Sequence, residues 1–123
     1  MREQQIDEYI ARKGYVPLAT DSVWQEVVEQ ILAMYGTNLH YRCISVAQQT
    51  DSLRRFFTVF PDHLTVPYRH IKYIELLLAD SPLLQRFVEW LHARGIPTQR
   101  VWEDNEEAGE LRIFGFAEAP NPQ

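Results

Sequence analysis

The run from Tyr68 to Pro97, YRHIKYIELLLADSPLLQRFVEWLHARGIP, constrains the fold more than any other part of the chain. Ile71 to Leu78 is mostly apolar on both sides. Alternation puts Ile71, Tyr73 and Leu77 on one face and Lys72, Ile74, Leu76 and Leu78 on the other, which predicts a central strand. Asp80-Ser81-Pro82 then supplies a hydroxyl for a helix N-cap and a proline for the first helical position, where its missing N–H costs nothing. Leu83, Leu84, Phe87, Val88, Trp90 and Leu91 form one apolar arc opposite Gln85, Arg86, Glu89 and His92, so one side of this helix is buried. Gly95 suits the left-handed residue that ends a helix, and Pro97 blocks its resumption, which places the end near Arg94.

The remaining elements follow from what must pack against that strand and helix. Glu3 to Lys13 reads as a short helix with Ile6, Tyr9 and Ile10 on one side, ended by Gly14. Tyr15-Val16-Pro17-Leu18 reads as an extended connector. Ser22, with Gln25 three residues on, gives a capping-box start to a second helix. That helix buries Val23, Trp24, Val27, Val28, Ile31, Leu32 and Tyr35 and closes at Gly36. Leu39 to Val46 and Leu53 to Phe60 are aromatic and β-branched runs around the polar Gln48 to Ser52, which predicts two strands and a hairpin loop. Gln99 to Glu103 and Glu110 to Phe116 predict a final pair of strands around Asp104 to Gly109.

The expected order is therefore α-α-β-β-β-α-β-β, without an internal repeat. Strands joined mainly by hairpins make a mostly antiparallel sheet of about five strands, and amphipathic helices must cover it. An α+β two-layer sandwich is the expected fold. The passage from residue 71 to 103 offers one possible parallel pair with a right-handed crossover. A chain of 123 residues suits a single domain over 1–123, with residues 1–19 as an N-terminal helix and connector and 118–123 as a loose tail.

Hydrophobic residues at 46% and aromatics at 12% exclude a disordered chain, and no apolar run approaches the roughly 20 residues needed to span a bilayer. The N-terminal MREQQIDEYI has no apolar signal segment and Cys43 has no second cysteine to bridge to, so a cytoplasmic protein without a membrane partner is expected. The net charge of −5 is unevenly distributed. Residues 101 to 123 hold six acids against Arg112, whereas residues 42 to 72 hold Arg42, Arg54, Arg55, Arg69 and Lys72 against Asp51 and Asp62.

Ser22-Val23-Trp24, the YRHIKYIEL of Tyr68 to Leu76, Gly95-Ile96-Pro97 and the strand from Leu111 to Phe116 together resemble a family of small bacterial proteins that share a domain of unknown function. The resemblance covers residues 20 to 117 and implies a shared fold and a bacterial source. It carries over no catalytic residue. Small acidic bacterial proteins of this kind look like antitoxin or immunity proteins, which bind and block a toxic enzyme.

No motif dictates a chemistry. Cys43 with His40 or His70 is the one candidate nucleophile pair, but in a strand His40 and Cys43 point to opposite faces, and a buried, inert cysteine is the preferred reading. His40, His63, His70 and His92 lack any local ligand spacing. The loop from Asp104 to Gly109 has the alternating carboxylates of a calcium site, yet its twelfth position is Gly115 where the bidentate glutamate belongs. No catalytic residue, metal or cofactor is therefore expected. Arg54-Arg55-Phe56-Phe57-Thr58-Val59-Phe60 has the basic and aromatic character of an RNA-stacking strand without the glycine of that pattern.

Two surfaces remain as candidate binding sites. Glu103, Asp104, Glu106, Glu107 and Glu110 put five carboxylates into eight residues, which suits docking to a basic cleft on a protein toxin. Arg54, Arg55, Arg69 and Lys72 form the alternative, a basic patch for nucleic acid or a regulatory role. The leading expectation is a non-enzymatic immunity or antitoxin protein that occludes the active site of a cognate toxin. A nucleic-acid or regulatory module and a small enzyme of unassigned chemistry are the alternatives.

Overall fold

The computed structural model describes residues 2–47, 54–55, 66–102 and 108–117. The expected α+β architecture is present. Helices α1 (Glu3–Lys13), α2 (Asp21–Tyr35) and α3 (Pro82–His92) accompany strands β1 (Val16–Pro17), β2 (His40–Ser45), β3 (Arg54–Arg55), β4 (Ile71–Ala79), β5 (Thr98–Val101), β6 (Ala108–Phe114) and β7 (Phe116–Ala117). Five strands form one sheet in the order β3-β2-β4-β6-β5, and β1 with β7 forms a second, two-stranded one.

Strand β4 is central, as its apolar run requires, and a single 3-10 turn at Tyr68–His70 feeds it. Helix α3 starts where its cap dictates: the Ser81 side chain accepts the Leu84 N–H at 3.3 Å, and Pro82 is the first helical residue. At the other end Gly95, at φ 75°, lets its own N–H reach the His92 carbonyl and the Ile96 N–H reach that of Leu91. This satisfies the last carbonyls and buries Ile96 completely.

Three expectations change. The cap of α2 is Thr20, not Ser22: Thr20 is extended, its Oγ1 accepts the Val23 N–H at 3.4 Å, and the Ser22 hydroxyl lies 3.1 Å from it. The connector through Val16 and Pro17 is a strand paired with β7, and the Leu18 N–H continues that contact to the Gly115 carbonyl. The possible parallel pair is absent among the described residues. Strands β4 and β5 run in the same direction, but β6 lies between them and pairs antiparallel with both. The hairpin loop from Gln48 to Ser52, residues 56–60 of the second strand run, the loop from Asp104 to Glu107 and the tail lie outside the described residues.

Helices α2 and α3 cover one face of the large sheet. Trp24, Val27, Ile31, Leu84, Phe87 and Leu91 meet Tyr41, Cys43, Ile74, Leu76, Leu111 and Ile113 in one cluster, each of these at most 2% exposed. Gly115, just past β6, lets this layer close: a Cβ there would stand 2.6 Å from the Ile71 carbonyl oxygen and 2.8 Å from the Trp24 ring. Helix α1 sits apart, with Ile6 buried against Val46 and Phe116 in a small cluster of its own.

Candidate functional site: the open face of the sheet

Strand alternation sends every second side chain of β2, β4, β5 and β6 away from α2 and α3. The ladder registers arrange those positions in rows across the sheet. His40, Leu77, Glu110 and Val101 form one row, with Arg55 paired opposite His40 on the edge strand and only Ala79 and Ala108 beyond it; Arg42, Glu75, Arg112 and Gln99 form the middle, and Ile44, Tyr73 and Phe114 the other end. Val16, Leu77 and Val101 are the exposed large hydrophobics among the described residues, and two of the three stand in the first of these rows.

The middle row is a charge network built around Glu75, which is 8% exposed. Its Oε1 accepts the Arg112 Nε–H at 3.0 Å, while Arg42 approaches Oε2 only to 3.8 Å. Arg112 also donates to the Gln99 side chain at 3.4 Å and lies 4.0 Å from Glu110, so one guanidinium ties three strands together. It further sits 5.1 Å from the centre of the Tyr73 ring, which in turn packs on Phe114 at 5.3 Å. A preorganised arginine beside half-buried aromatic rings is the composition enriched where proteins bind one another.

Of the expected acidic site, Glu110 lies on this face, in the row with Leu77 and Val101. Glu103, Asp104, Glu106 and Glu107 fall outside the described residues. The expected basic residues do not form one group. Arg54 and Arg55 pair opposite Tyr41 and His40 on the edge strand, whereas Arg69 and Lys72 stand at the start of β4 near Ser45, about 13 Å away along the strands alone. Arg69 is also occupied: its Nε–H donates to Asp7 at 3.0 Å, and Glu3 lies 3.8 Å from its second nitrogen.

Asp7 belongs to a cluster that sequence reasoning missed. His70 is fully buried, with its Nε2 2.6 Å from Asp7 Oδ1, and its Nδ1 has no partner among the described residues. Sixty-three positions separate the pair, so no local spacing announces it. The Arg69 and His70 hydrogen bonds hold the Asp7 carboxyl below its usual range. Its stabilising effect is complete above the unfolded carboxylate pKa and is lost as pH falls through the lower folded one. The imidazole is closed to solvent, and the pair ties α1 to the 3-10 turn that leads into β4. Cys43 is likewise fully buried on the helix side and His40 is exposed on the open side, as alternation requires.

Among the described residues no group of three or more His, Cys, Asp or Glu side chains is placed to hold a metal, and no helix is long and apolar enough to cross a membrane. Comparison with protein-family models, curated proteins and solved structures gives no match. The resemblance to small bacterial immunity-like proteins therefore rests on the quoted residues alone.

Proposed function

We propose that the chain is a binding protein of the immunity or antitoxin type, which docks on a basic cleft of a toxic enzyme and occludes it. The observation that carries this reading is the position of Glu110. It stands between exposed Leu77 and Val101 on the open face, and the sequence just before β6 holds Glu103, Asp104, Glu106 and Glu107. Carboxylates beside an exposed apolar strip supply both parts of a docking surface: steering toward a positive cleft, and area to bury once there.

The test is a titration against the purified product of the adjacent gene, with association and dissociation resolved. Replacing Glu103, Asp104, Glu106, Glu107 and Glu110 together by Lys is expected to slow association at low salt by about tenfold or more and to flatten its salt dependence. Unchanged rates would remove the acidic end from the interface. The nucleic-acid reading gives the opposite result with RNA: the same lysines strengthen binding, and neutralising Arg54, Arg55, Arg69 and Lys72 weakens it with a shallower salt slope.

A further inference from the structure

Helix α1 is joined to the rest of the fold by two small sets of contacts. Ile6 is the one buried residue of the helix, and it packs against Val46 and Phe116. The second set is polar: the Asp7 carboxylate accepts Arg69 N–H groups at 3.0 and 3.4 Å and lies 2.6 Å from His70 Nε2. Among the described residues Asp7 is faced by Arg69 and His70 from the turn before β4, and Arg69 in turn by Glu3 and Asp7 of α1 and by Asp21 of α2. Beyond Gly14 the chain is held separately. Tyr15 lies edge-on to Phe116 with ring centres 5.7 Å apart, β1 pairs with β7, and the Leu18 N–H reaches the Gly115 carbonyl. Gly14 itself is left-handed, at φ 73°, and a Cβ there would meet nothing within 4 Å, so helix and connector meet at a residue with room to turn.

We infer that α1 is a latch: it opens about Gly14 as one unit while the sheet, α2 and α3 stay folded, and the Asp7 carboxylate holds it shut. This does not depend on the docking function proposed above. Helices α2 and α3 each bury four residues where α1 buries Ile6, and an element with few buried contacts opens well below the global transition. Once undocked, a helix this short is marginal in water and melts. His70 is the reason the carboxylate matters. Its imidazole is fully buried and its Nδ1 has no partner among the described residues, so Asp7 supplies the hydrogen bond that makes this burial tolerable. Neutralising Asp7 weakens the bonds to Arg69 and His70 together, and water then competes for the imidazole. Opening brings solvent to His70, Val46 and Phe116. The last two stand two residues along the chain from Ile44 and Phe114, so the latch sets how much apolar surface lies next to the Tyr73 end of the open face.

Amide hydrogen exchange of the full chain tests the latch, with β4 and α3 as internal references. At neutral pH the α1 amides are expected to exchange about tenfold or more faster than those of the two references. Asp7→Asn should speed α1 by about a further tenfold and leave β4 and α3 unchanged. Glu8→Gln removes a carboxylate from an exposed position of the same helix and should change α1 less than about twofold, which separates the contact from a general effect of helix charge. The ratio of α1 to β4 protection carries the pH dependence. Asp7 stabilises docking fully above the unfolded carboxylate pKa and loses this effect as pH falls through the lower folded one, so the ratio should drop between about pH 5 and about pH 2 in the natural chain and stay flat in Asp7→Asn. Loss of α1 and β4 protection together in Asp7→Asn overturns the inference, because the chain then opens as a whole. Equal effects of Asp7→Asn and Glu8→Gln, or the same pH profile with and without the Asp7 carboxylate, also overturn it.

Discussion

The two faces of the central sheet are made from alternate residues of the same strands, yet they are built on different principles. Toward α2 and α3, strand β4 presents Ile74, Leu76 and Leu78, all at most 2% exposed, and its neighbours add Tyr41, Cys43, Leu111 and Ile113. On the reverse side the same strand presents Tyr73, Glu75 and Leu77, and the neighbours add two arginines, a glutamate and a phenylalanine. Apolar character alone does not distinguish the two sides, since Leu77 and Phe114 belong to the open one. What distinguishes them is whether polar groups are interleaved and mutually satisfied. One face holds the protein together, and the other is kept in order while remaining available.

The largest expected effect is on the covered face. Phe87 and Leu91 are completely buried, with Phe87 edge-on to Tyr35 and stacked against Trp90. Phe87→Ala or Leu91→Ala should cost about 2 to 5 kcal/mol, the transfer free energy of the removed atoms plus the cavity left behind. Urea unfolding measures this directly, and a loss below about 1 kcal/mol for both would mean that α3 does not anchor the sheet.

Much of the covered face was legible in the sequence, because each of its helices carries its own start, stop and apolar arc. Ser81, Pro82 and Gly95 do what their chemistry demands, and Trp24, Val28, Phe87 and Leu91 are buried as periodicity requires. The cap of α2 was harder to place, since Thr20, Asp21 and Ser22 all have suitable side chains and only the backbone chooses among them. The open face was legible only in part. Glu75 in the middle of an apolar strand demands a cationic neighbour, and this signal was available. That the neighbours are Arg112 and Arg42 depends on strand order, and the insertion of β6 between β4 and β5 leaves no trace in local pattern. The Asp7–His70 contact is hidden for the same reason.

An intermediate effect should come from the charge network. Removing the Glu75 carboxylate leaves Arg112 without its principal acceptor on a face where it is only partly exposed. Glu75→Ala should therefore cost about 1 to 2 kcal/mol. Arg42 is more exposed and lies at 3.8 Å, beyond hydrogen-bond distance, so Arg42→Ala should cost less than about 1 kcal/mol. A double-mutant cycle over Glu75 and Arg112 is expected to show coupling, and one over Glu75 and Arg42 much less. Equal coupling in both would mean that the network is centred on the carboxylate alone, and that Arg112 has no special place in it.

The smallest effect is the one that most sharpens the contrast between the faces. Leu77 and Val101 are large apolar residues, and their replacement by Ser on the covered side would be severe. On the open face they are exposed to 41% and 37%. Leu77→Ser and Val101→Ser should each change stability by no more than about 0.5 kcal/mol, because water already reaches these side chains in the folded state. Urea titration measures the change directly. A loss of 2 kcal/mol or more for either would show that another part of the same chain lies over this row. The face would then be a second core layer rather than a surface for docking, and the distinction between a structural side and a recognition side of the sheet would fail.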